Sequence, residues 1–162
     1  MQHHSSARAL LSLLAVVVGA CDRPLDSLPL EPEVTRFPHD LGQITFITPL
    51  GTVSGGGELK NRHQVKLPED ASGIATEPVA VYAPADGYIV QVRHLTRPVA
   101  GTTYFGVEIQ ISQTVSVVLD HVWTPEPRIE AILPPVRDGF SSFVRVEPVA
   151  VAAGERLGYA EP

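Results

Sequence analysis

The residues of this chain that can do chemistry are few and scattered. Beyond the first twenty residues the histidines are His39, His63, His94 and His121, and no two are separated by a single residue. Imidazoles and carboxylates are typical donors for a catalytic zinc, which takes three protein ligands and keeps a fourth position for water. His63 is followed, beyond Pro68, by Glu69 and Asp70, so one imidazole and a carboxylate lie close in sequence there. Asp120 and His121 are adjacent, with Trp123 close behind. That group either shapes a shallow binding cleft or caps a strand and covers core. His63 and His121 also read as hydrogen-bonded histidines at strand ends. The one cysteine, Cys21, has no partner for a structural disulfide. Gly55-Gly56-Gly57 lacks the Lys and Ser or Thr that a phosphate-cradling loop needs, so it reads as a loop tip.

The elements around these residues begin with the parts of an export signal. A short positive region ends at Arg8, an apolar run covers 9–18, and small residues Gly19 and Ala20 close it. The run is too short to span a bilayer. The sequence Val18-Gly19-Ala20-Cys21 is similar to the lipobox of bacterial lipoproteins. That similarity implies removal of residues 1–20 and acylation of Cys21, and hence an exported protein anchored by lipid on the periplasmic or outer face of a bacterial membrane. Each buried methylene contributes about 0.8 kcal/mol, so two or three acyl chains hold such a protein firmly. Residues 21–40 carry the lipidated cysteine and then a proline-rich, charged stretch without hydrophobic period, which predicts an extended tether outside the fold. Loss of the leader removes one arginine and no acid, leaving 11 basic and 18 acidic side chains, a net of −7. Such a chain lacks the basic patches that nucleic acid requires.

From residue 41 to 162 the pattern changes to short β-branched runs broken by Gly and Pro, predicting one all-β domain with no helix. The expected strands are 43–48, 79–83, 87–94, 104–112, 114–122, 143–151 and 156–159. In Val107-Glu108-Ile109-Gln110-Ile111 the apolar side chains fall on one face and the polar ones on the other. Pro84-Ala85-Asp86-Gly87 and the residues around Gln113 read as hairpin turns, the first with a glycine suited to positive φ.

Three segments in order resemble the lysostaphin or LytM-type zinc metallopeptidases, which cut peptide crosslinks of bacterial cell walls. They are Val79 to Ile89, Tyr104 to Ile111 followed by Val117 to Val122, and Val149 to Gly158. The resemblance implies a small hybrid barrel or sandwich of antiparallel strands, of the duplicated-hybrid-motif type. In that family zinc is held by a His, an Asp four residues later, and the second His of a late His-x-His pair. By this resemblance His63 stands at the first metal position and His121 at the isolated catalytic histidine. The fourth residue after His63 is Leu67, which cannot ligate a metal, leaving Glu69 or Asp70 as the substitute carboxylate. The His-x-His pair is not found in these 162 residues. A biotinyl or lipoyl carrier domain would suit Ala83 to Gly87 too, but it needs a lysine on a hairpin tip, and Lys60 and Lys66 both lie upstream.

The resulting expectation is an envelope lipoprotein whose LytM-like domain has no peptidase activity and needs no cofactor, binding peptidoglycan or regulating a wall enzyme. Two alternatives stay open. One is a zinc metallopeptidase using His63, Glu69 or Asp70, and His121. The other is a structural lipoprotein of an envelope complex.

Overall fold

The computed structural model describes residues 24–48, 64–70, 77–96, 103–136 and 143–160. The leader, Cys21, Gly55 to Gly57 and His63 lie outside the described residues. The fold is all-β and antiparallel. Strands β1 (Phe46–Thr48) and β2 (Gln64–Lys66) form a two-stranded ribbon. Strands β3 (Val79–Tyr82), β4 (Gly87–Thr96), β5 (Thr103–Gln110), β6 (Ser116–Pro125), β7 (Val144–Val151) and β8 (Arg156–Ala160) form one sheet, in the order β3-β8-β6-β5-β4-β7.

The alternation read in Val107 to Ile111 is realised: Val107, Ile109 and Ile111 are buried, with Glu108 and Gln110 turned toward solvent. The same core takes Ile89 and Val92 from β4, Phe105 from β5 and Leu157 from β8. Full burial of each such side chain stabilises the fold by about 1.5–3 kcal/mol. Around Gln113 the expected hairpin forms between β5 and β6, closed by Ile111 N–H to the Val115 carbonyl at 3.1 Å. The Ser112 hydroxyl, buried at the turn, accepts from the amides of Thr114 and Val115.

Pro84 to Gly87 is not a hairpin turn. It joins β3 to β4, which stand four places apart in the sheet, and β7 joins β8 across a similar gap. Four strand spacings in a flat sheet are about 19 Å. The five peptide links from Tyr82 to Gly87 reach at most about 18 Å. The sheet therefore curls, and the two short connections meet. Ala83 N–H donates to the Glu155 carbonyl (2.9 Å), Gly154 N–H to the Ala83 carbonyl (2.8 Å), and Ala153 N–H to Asp86 Oδ1 (2.8 Å). The positive φ in this region belongs to Gly154, at 78°, and not to Gly87. Gly87 is needed for a different reason: a Cβ there would stand 2.4 Å from the Gln110 carbonyl oxygen.

Three further differences have local causes. A single helical turn, α1 (Pro127–Glu130), interrupts the insertion after β6 and buries Ile129 in the core. Four residues are too few to display a helical period, though Pro127 at the first turn is a fitting start. The ribbon strand β2 has only Gln-Val-Lys to announce it, and β1 begins at Phe46, after a 3-10 turn over Leu41–Gln43.

The third difference is the expected tether, which over 24–40 docks along the sheet. Leu28 is buried, and Gln113 donates from its amide to the Pro29 carbonyl (2.9 Å) and from Nε2 to the Leu28 carbonyl (3.1 Å). Thr35 and Arg36 both donate to the Pro84 carbonyl, and Tyr82 N–H donates to that of Pro38. The strap thus covers the outer edge of β3, whose free amides and carbonyls would otherwise be open to pairing. Proline and charge disguise it in the sequence, because it is held by main-chain amides and carbonyls, one histidine and one leucine, and has no periodic face.

Candidate functional site

Asp120 and His121 are positioned by an irregularity in the sheet. Phe105 pairs with Val122 and Val107 with Leu119, so both residues stand opposite Gly106 alone. This is a β-bulge, the device by which strands re-aim side chains. His121 takes φ 62°, the one positive φ at a non-glycine among the described residues. A left-handed conformation costs a residue with a Cβ about 1–2 kcal/mol. Its exposed ring stacks on Tyr104 of β5, with centroids 4.6 Å apart and planes 20° from parallel.

Asp120 turns the other way. Arg93 of β4 is the direct neighbour of Gly106, and its guanidinium reaches across that glycine to Asp120. Nε donates to Oδ1 at 3.0 Å and Nη2 to Oδ2, in the two-pronged geometry that suits arginine and carboxylate. A Cβ on residue 106 would lie 2.5 Å from Asp120 Oδ1 and 3.0 Å from Arg93 Nε, so glycine is what leaves room for the pair. The other face of the guanidinium lies over the Phe143 ring, 4.3 Å from its centroid.

Beyond the Tyr104 side of this bulge runs a groove of about 350 Å³, lined by His94, Tyr104, Trp123, Glu130, Pro134 and Pro135. His94 Nδ1 and Trp123 Nε1 are buried there without a hydrogen-bond partner among the described residues. Each such polar atom costs about 1–3 kcal/mol, so groups of this kind call for a role. A second crevice of about 350 Å³ separates the strap, at Leu28 and Thr35, from Tyr88, Ile111 and Val151.

The carboxylates that the sequence offered as zinc donors are not gathered with other donors among the described residues. Leu67, four residues after His63, presents hydrocarbon, and Glu69 Oε1 accepts from Lys66 Nζ at 3.2 Å. Asp70 is exposed. Among the described residues no three His, Cys, Asp or Glu side chains gather as a metal would require. His39 serves the strap instead, with its Nδ1 3.1 Å from the Ala80 carbonyl, fixing the end of that segment to β3. Burial lowers its pKa below the ordinary 6.5, against the raising effects of that carbonyl and of Asp40.

Of the candidate residues legible in the sequence, Asp120, His121 and Trp123 fall together on β6, and the fold adds Arg93, His94 and Tyr104 to them. Gly106, interrupting a strand of large side chains, and the adjacent polar pair Asp120-His121 were the available signals of the bulge. No family model, curated protein or solved structure matches this chain.

Proposed function

We propose that the chain is a membrane-anchored envelope lipoprotein whose LytM-like β domain is non-catalytic and serves as a cell-wall-binding or regulatory module. The curled sheet is read here as that family's small barrel or sandwich. Support comes from the three family-like segments, which fall in order on β3 to β4, on β5 and β6, and on β7 to β8. The observation that carries the functional reading is the Asp120-His121 bulge. A histidine at the place of the family's assisting residue is held on strained backbone beside an aromatic groove, while its neighbouring carboxylate is committed to Arg93. An exposed imidazole stacked on a tyrosine beside such a groove is suited to holding a ligand. Bond cleavage would need a donor set that Leu67 does not provide.

The test takes the full acylated protein from membranes and measures three things: zinc content, sedimentation with purified peptidoglycan, and release of wall peptides with zinc added. The reading expects substoichiometric zinc, no peptide release, and co-sedimentation that weakens for Trp123→Ala and His121→Ala while circular dichroism is unchanged. Stoichiometric zinc with peptide release abolished by His63→Ala would establish the peptidase instead. Failure to sediment with peptidoglycan, with partners recovered by crosslinking in cells, would favour a structural lipoprotein of an envelope complex.

A further inference from the structure

We infer that the domain lies flush against the lipid bilayer, with the start of the strap and the β5–β6 hairpin tip as its membrane-facing surface. This arrangement rests on acylation of Cys21, proposed above. Pro24 opens a 3-10 turn, Pro24–Ser27, only three peptide links from Cys21, a reach of at most about 11 Å. Leu28, whose side chain is plugged into the fold, is seven links away, at most about 25 Å. A tether of nineteen residues would let the domain wander. Here only seven links separate Cys21 from the clamped Leu28, since the strap is held by Gln113 at Leu28 and Pro29 and again by Pro84 and Ala80 farther on.

The clamp decides which face meets the lipid. Gln113 sits at the β5–β6 turn, and the neighbouring crevice is lined by the beginning of β4 and the end of β7, so one end of the sheet is drawn toward Cys21. At that end Leu30 is 67% exposed and Val115 37% exposed. Apolar side chains held this close to an acyl anchor can enter the interface, where a second weak contact adds to the first without a diffusional search. Asp26, Glu31 and Glu33 lie on the same strap, so the surface fits zwitterionic headgroups and disfavours anionic ones. Val144, also exposed, stands at the far end of β7, seven residues from Val151, and points to a face held away from the bilayer.

Cys21 is the chain's one cysteine, so once it is acylated a newly introduced thiol can be labelled uniquely. Leu30→Cys, Val115→Cys and Val144→Cys, each carrying an environment-sensitive fluorophore, are reconstituted as full acylated chains in phosphatidylcholine vesicles. The expected result is blue-shifted emission, quenched by nitroxides on the lipid, at positions 30 and 115, with water-like, unquenched emission at 144. Adding Gln113→Ala, which removes the side-chain half of the clamp, should weaken quenching at 115 while the protein stays on the vesicles. Equal, water-like emission at all three positions on vesicle-bound protein would overturn the flush arrangement. Protein that fails to bind vesicles, with Cys21 unmodified by mass spectrometry, would instead remove the lipoprotein reading on which it rests.

Discussion

Deleting the Asp120 carboxylate tests whether the row Arg93, Gly106, Asp120 holds the bulge. In Asp120→Ala the guanidinium stays against Phe143 without its counter-charge from β6. Removing one partner of a fully buried pair costs about 3–5 kcal/mol, and an exposed pair contributes about 0–1 kcal/mol. The two side chains are 18% and 16% exposed, which places this pair nearer the buried limit. The expected loss is about 2–3 kcal/mol, a fall in Tm of roughly 6–15 °C for a domain of this size. Urea unfolding at neutral pH measures it, and the chain's one tryptophan, Trp123, lies three residues from the substitution and reports the transition. Asp120→Leu combined with Arg93→Met replaces both charges with hydrocarbon and should recover most of the loss, giving a coupling above about 1.5 kcal/mol. An alanine variant within about 0.5 kcal/mol of the parent, or a double variant no more stable than the sum of its singles, would refute the reasoning.

Three other outcomes follow from the packing. Gly87→Ala sets a Cβ against the Gln110 carbonyl at 2.4 Å and should destabilise the fold by about 1–3 kcal/mol in the same unfolding assay. Ile129→Ala should cost about 2–5 kcal/mol, because this residue of the insertion belongs to the main core; a surface-like change near zero would detach the insertion from it. For His39 the folded pKa lies below 6.5, so between that value and 6.5 the unfolded chain binds more protons. Its contribution is therefore intact above pH 6.5 and declines as pH falls below it, and His39→Gln should flatten this part of the urea midpoint's pH dependence.

The period-two patterning was enough to give the class of fold and, within a few residues, the six strands of the main sheet, because which face of a strand is apolar is a local property of its side chains. The turn at Gln113 was legible for the same reason. What the sheet does with those strands depended on contacts far apart in the chain. β3 and β4 are neighbours in sequence and four places apart in the sheet, since their partners β8 and β7 come from the other end of the chain. The strap looked like linker because its hold is through main-chain amides and carbonyls, one histidine and one leucine, which leave no periodicity to read. At the candidate site the sequence supplied Asp120, His121 and Trp123, but only the register across β4, β5 and β6 brought Arg93 over Gly106 to Asp120 and set His121 on Tyr104. A bulge is a mismatch in count between two strands, and a mismatch exists only once both strands are paired.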